Sequence, residues 1–145
     1  MKFVKNSDST FIIRLVRGEE ILDSIERFCQ NQNIKNAVFW GIGSIEDVIL
    51  AHYRVDGKKF SEKKCEGIFE ITSLIGNVSL FEQKPLVHPH ISISNEQMEV
   101  FGGHLMTGKV SATVELVLQN LGSSYAKKMD EEIGLKLWDL PQSLI

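Results

Sequence analysis

Only one stretch of this chain repeats with the period of a helix. In EEILDSIERFCQNQN, residues 19–33, the side chains of Ile21, Leu22, Ile25, Phe28 and Cys29 form one apolar stripe with charges elsewhere. Glu19, Glu20 and Asp23 suit the positive end of a helix dipole, and Asn31 and Asn33 are stop signals. Around that helix the chain reads as strands. FIIRLV precedes it, and NAVFWGIG, SIEDVILAHYRV, LVHPHISIS, MEVFGGHLM and VSATVELVLQN follow. Asp56-Gly57 marks a hairpin turn, and GIFEITSLIGNVSLFE reads as two strands joined around Gly76-Asn77. One helix with about seven strands predicts an α+β domain built on an antiparallel sheet.

With 145 residues and no repeat, linker or low-complexity segment, residues 1–145 are expected to form a single domain. The tail, residues 121–145, is expected to dock on its body through IGLKLWDLPQSLI. Several strands are apolar on both faces, which points to contacts between subunits. No apolar run is long enough for a bilayer span or a signal peptide, and Cys29 and Cys65 lie in unrelated contexts. The expected location is the cytoplasm, with no membrane partner. Sixteen basic residues against 19 acidic ones, a net charge of −3, leave no dense cationic surface for a phosphate backbone. The cluster Lys58, Lys59, Lys63 and Lys64 reads as a solvated hairpin.

The chemistry is concentrated in HPHISISNEQMEVFGGHL, residues 88–105, which holds three of the four histidines. On a strand, His88 and His90 leave the same face roughly 7 Å apart. Ser92 and Ser94 share that face, and Pro89, Ile91 and Ile93 take the other. An odd-numbered loop after Ser94 puts His104 opposite His88, whereas an even one points it away. Gly102-Gly103 has the look of a bulge that turns His104 inward. Three imidazoles with an open fourth position would suit zinc, the favoured divalent ion. H-x-H alone is a weak signal, because scattered histidines are commonly surface or core residues, and lone His52 is read as structural. Glu70, interrupting an apolar strand, is the candidate general base; Glu115 is read as a solvent-facing strand residue. GIGSIE lacks the third glycine and the helix of a dinucleotide site.

The blocks GIGSIEDVILAHY, EGIFEITSLIGNVS, LVHPHISIS and VFGGHLMTGKVSATVELVL, after an opening RLVRGEEILDSIERF, resemble the plants-and-prokaryotes-conserved (PPC) domain. The resemblance runs from Phe11 to Asn120. It implies a homotrimer of antiparallel sheets with one main helix each. For stand-alone prokaryotic members it implies a provisional DNA-binding description, taken from plant proteins in which the domain follows AT-hooks. Some members also hold a metal on three histidines, here matching His88, His90 and His104. This chain has no AT-hook, and Ile68 replaces an arginine that in plants is associated with partner contacts. Duplex binding is therefore expected to be weak. The resulting expectation is a trimeric metal- or small-ligand-binding module, with any ligand pocket around Arg14, Gly43, Ser44 and Glu70. The second reading is a metal-dependent hydrolase using Glu70. It is weakened because no nucleophile or phosphate loop is evident.

Overall fold

A computed structural model of the chain describes residues 1–141. The strands are β1 (Lys2–Lys5), β2 (Thr10–Val16), β3 (Ala37–Arg54), β4 (Lys59–Cys65), β5 (Phe69–Phe81), β6 (Lys84–Ser94) and β7 (Val100–Asn120). The helix α1 spans Ile21–Asn31, and β8 (Lys127–Asp130) and β9 (Leu135–Trp138) form a separate hairpin. The expected antiparallel α+β architecture is present: a seven-stranded sheet in the order β1-β2-β7-β6-β5-β3-β4, with one helix. No described helix is long and apolar enough to cross a membrane.

The helix forms where the apolar stripe predicts it. Ile21, Ile25, Phe28 and Cys29 are buried, and the helix packs on β6 and β7. Glu20 does more than complement the dipole. Its carboxylate caps the helix by accepting from Asp23 N at 2.7 Å, and it also accepts from Gly108 N at 3.1 Å. One side chain thus ties the helix start to β7. Glu19 accepts from Val16 N and from the Met1 amine.

β7 pairs with β2, β3 and β6, and the sheet closes on itself because two of these, β3 and β6, are also joined through β5. Along His104–Asn120 β7 runs beside β3, while Val100–His104 pairs with β6 on its other edge. Because β6 pairs with β5 and β5 with β3, the four strands make a ring. Phe39, Ile45, Leu74, Ile93, Leu105 and Leu118 belong to the buried core. Gly102 and Gly103 sit at the closure. A Cβ on Gly102 would lie 2.2 Å from Ile91 O, and one on Gly103 would lie 2.9 Å from Ala51 O. Backbone of neighbouring strands occupies the space a side chain would need. The β6–β7 register there is regular, so the two glycines do not form the expected bulge; the register breaks lie on the β3 side.

Two other expectations change. β5 runs unbroken through Gly76-Asn77, and the chain turns instead at Glu82-Gln83, whose φ values are 50° and 65°. Those angles fit a type I′ two-residue hairpin between Phe81 and Lys84, formed here without glycine or asparagine. The paired segments NAVFWGIG and SIEDVILAHYRV are likewise one long strand, as are MEVFGGHLM and VSATVELVLQN. Bulges around Gly43 and Asp47 let β3 bend around the ring. In the tail, Asn36 bonds Tyr125 through both amide atoms, Tyr53 Oη donates to Ile133 O, and the Trp138 indole donates to Ser79. Residues 142–145, included in the expected docking segment, lie outside the described residues.

Gly102→Ala is expected to destabilise the domain by about 1–3 kcal/mol through overpacking. Gly57→Ala, whose Cβ meets nothing nearer than 3.8 Å, should be close to neutral. Urea midpoints at unchanged slope would check this; equal midpoints for the two variants would remove the closure argument.

Candidate metal centre

β6 puts Pro89, Ile91 and Ile93 into the core and turns His88, His90 and Ser92 outward. The connection from Ser94 to Val100 has five residues, the odd number that keeps His104 on that outward face. His104 lies opposite His90, not His88 as the sequence reading had it, because Ser94 pairs with Val100 and the count runs inward from there. The three rings form a nearly regular triangle with centroids 5.1, 5.3 and 5.4 Å apart. One nitrogen from each can be chosen so that all three lie within 4.8 Å of one another. A point equidistant from three atoms at that spacing is about 2.8 Å from each, so inward shifts of under an ångström reach the roughly 2.0–2.1 Å of a zinc–imidazole bond. The donor set fits a divalent ion.

Electrostatics favour neutral rings. Burial pushes the His88 imidazole down to about 4, helped by Lys127 and the neighbouring histidines. His104 is lowered by burial, then by His90 and Lys127. Metal binding needs unprotonated imidazoles, so at neutral pH no proton has to leave these two rings. His90 is the exposed member, while His88 and His104 are partly covered. Phe60 of β4 lies against His104, with ring centroids 5.5 Å apart.

Lys127, which the sequence reading did not select, reaches the cluster from β8. It is 8% exposed, and its Nζ is 3.5 Å from His88 Nδ1. Burial lowers its basicity, with a further contribution from Lys136. Nothing local in the sequence marks it, since it lies 39 residues beyond His88 on a separate hairpin. Asn77, directly across from His88, has a buried Oδ1 with no hydrogen-bond partner.

The remaining candidates do not join the cluster. Glu70 pairs with Ser94, four residues along β6 from His90, or roughly 13 Å at strand spacing. Ser44 is opposite Glu70, and Gly43 is its neighbour in β3. Arg14 lies two strands away, opposite Glu115. Of the four expected ligand-pocket residues, Gly43, Ser44 and Glu70 are thus neighbours on β3 and β5, and Arg14 is set apart on β2. The large groove, about 560 Å³, has none of them in its lining and is bordered by Ile12, Trp40, Ile42 and Ile75. It continues to the histidines, because Val117, Trp40, Ile75, His90 and His104 are successive cross-strand partners. Glu115 is exposed, as expected for a strand residue facing outward.

The model of the Plants and Prokaryotes Conserved (PCC) domain matches residues 3–122. A plant- and prokaryote-conserved (PPC) protein of Pyrococcus horikoshii is 33% identical, with a TM-score of 0.86 over 98% of this chain and 97% of that one. A protein of Archaeoglobus fulgidus described as metal-containing is also 33% identical, with a TM-score of 0.83 over 95% and 99% of the two chains. A Bacteroides thetaiotaomicron protein provisionally described as DNA-binding shares the fold at a TM-score of 0.90 over 95% and 96% of the chains, with 22% identity. No curated protein matches the chain.

The depressed histidines predict a pH effect on the metal-free protein. A histidine whose folded pKa lies below its unfolded value of about 6.5 binds more protons when unfolded. Its stabilising contribution is complete above pH 6.5 and is lost as pH falls toward the folded value, about 4 for His88. After allowance for solvent screening, the loss should be on the order of 1–2 kcal/mol. Urea midpoints in chelator at pH 7, 6, 5 and 4 should fall less steeply for His88→Asn than for the parent. Equal slopes would remove His88 as the cause.

Proposed function

The chain belongs to the Plants and Prokaryotes Conserved domain family, and we propose that it acts within that family as a homotrimeric module binding a divalent metal ion through His88, His90 and His104. The observation that carries the reading is the triangle of imidazoles, with ligand nitrogens within 4.8 Å of one another. The Archaeoglobus relative described as metal-containing supports it. Zinc is favoured because it suits imidazole and tolerates a three-histidine site with one open position. At such a position the ion acidifies bound water or polarises a bound oxygen. The chain's own contribution is to hold three imidazole rings on paired strands and to shield His88 and His104 partly from solvent.

Hydrolysis is the weaker reading. Among the described residues no carboxylate belongs to the histidine group, and Glu70, the base expected from sequence, is four strand positions away. DNA binding is what the Bacteroides relative is provisionally described as doing. In this chain the net charge of −3 argues against a surface built around phosphate contacts.

Assembly as a trimer is supported by the outer face of the ring. Ile12, Trp40, Ile42 and Ile75 are 42, 47, 62 and 56% exposed and line one continuous groove. An apolar patch of this kind on a sheet usually has a protein partner. The number three comes from the family resemblance.

Light scattering at micromolar concentration should give three times the chain mass, and a monomer mass would exclude the assembly. Metal analysis after dialysis against zinc should give one ion per chain. His104→Ala should lower zinc affinity by more than the roughly 10–100-fold typical of losing an outer-shell partner. Its circular dichroism should stay unchanged, because the core does not depend on the ion. Undiminished affinity in a folded His104→Ala protein would overturn the three-histidine reading.

A further inference from the structure

No carboxylate among the described residues joins the three histidines. Among the described residues, none of the four ion pairs involves Lys127, and its one polar contact is His88 Nδ1 at 3.5 Å. The ammonium of a residue only 8% exposed, set against an imidazole and in no ion pair among the described residues, is poorly compensated.

Loading the site with a metal makes that position worse in two ways. A neutral imidazole has one acceptor nitrogen. If the ion takes His88 Nδ1, Lys127 loses its acceptor directly. If the ion takes Nε2, Nδ1 carries the proton and can no longer accept. Either way Lys127 Nζ loses the one acceptor it has among the described residues. The ion also adds two positive charges beside this ammonium, and among the described residues no carboxylate lies within ion-pair distance of it to offset them. Asn77, opposite His88, offers an unpartnered amide oxygen, which can take one N–H but carries no charge.

Building on the metal-binding reading, we propose that the open position of the site takes a small oxyanion, with one oxygen on the ion and another accepting a charge-assisted hydrogen bond from Lys127 Nζ. Such bonds are stronger than neutral ones, and an anion supplies both the acceptor and the charge the site lacks. The surroundings suit a small, polar guest. A groove of about 190 Å³ beside His90 is lined by Ser73, Ser92, Gly102 and Gly103 along with Ile75 and Ile91. The shared chemistry is a carboxylate, bicarbonate or phosphate group, and Lys127 selects for charge rather than for the rest of the molecule.

The test uses full-length protein loaded with cobalt(II), whose visible absorption reports changes at the ion, with metal content measured on every sample. Acetate, bicarbonate and phosphate are titrated separately, with imidazole as a neutral competitor. The wild type should show a saturable spectral change with at least one oxyanion, and the three arms identify which kind. Lys127→Met should keep its cobalt but bind that oxyanion about 10-fold or more weaker, with imidazole binding undiminished. Lys127→Arg should retain the oxyanion response, and this holds the test open if the methionine variant does not fold. Cobalt-loaded wild type that ignores all three oxyanions, or a folded Lys127→Met that binds them equally well, would overturn the role of Lys127 and leave metal binding standing. Wild type that takes up no cobalt would refute the metal reading itself, and this inference with it.

Discussion

The double pairing of β7 is the constraint on which the rest depends. Its first five residues hydrogen-bond to β6 while the same strand runs on beside β3. This turns a twisted antiparallel sheet into a ring without an open seam between those strands. The closure requires backbone to approach backbone at Gly102 and Gly103, where any Cβ would collide with a carbonyl oxygen. It also delivers His104 to the strand carrying His88 and His90. Strand pairing brings residues 14 apart in sequence into direct opposition, His90 facing His104, with every side chain's face set by the period of two. The histidine triangle is thus a product of register, held by the same hydrogen bonds that hold the fold.

Much of this was legible because it depends on local periodicity. The helix from Ile21 to Asn31 announces itself through one apolar stripe, and the outward direction of His88 and His90 follows from the buried alternation of Pro89, Ile91 and Ile93. The parity of the Ser94–Val100 connection carried the correct face for His104, although its partner was misassigned. What escaped the sequence depends on contacts at long range. Gly76 and Gly102-Gly103 read as a turn and a bulge, but the structure uses them for close packing, and a lone sequence does not distinguish these uses. The turn at Glu82-Gln83 has no glycine or asparagine to mark it. Lys127 reaches His88 only because the tail folds back along β5, where Ala126 bridges Leu80.

The outer face of the ring combines two unlike surfaces. Ile12, Val117, Trp40 and Ile75 form an apolar stretch, and in the same cross-strand row it gives way to His90 and His104. Ile75 and Ser73 line both the apolar groove and the small one beside His90. A subunit seated on the apolar stretch would therefore border the histidine triangle without having to complete it, since the three imidazoles come from one chain. Partial burial matters at such a place: it keeps His88 and His104 unprotonated at neutral pH while His90 remains accessible.

The placement of charge in this chain says more than its total does. The lysines that look most like a basic patch, Lys59, Lys63 and Lys64, lie on β4 with Glu62 among them and Glu66 just beyond. Lys63 lies over the Phe101 ring, 5.1 Å from its centroid, and Lys64 is 3.8 Å from the Glu66 carboxylate. Affinity for duplex grows with the number of phosphates neutralised together, and cations interleaved with acids give few. Lys127 is the reverse case: a single cation, nearly buried, beside three imidazoles and, among the described residues, in no ion pair. Solvent screens the surface lysines but shields Lys127 much less. A single, little-screened cation beside the histidines suits a guest of a few atoms, whereas the interleaved lysines of β4 are each partly offset by a neighbouring acid.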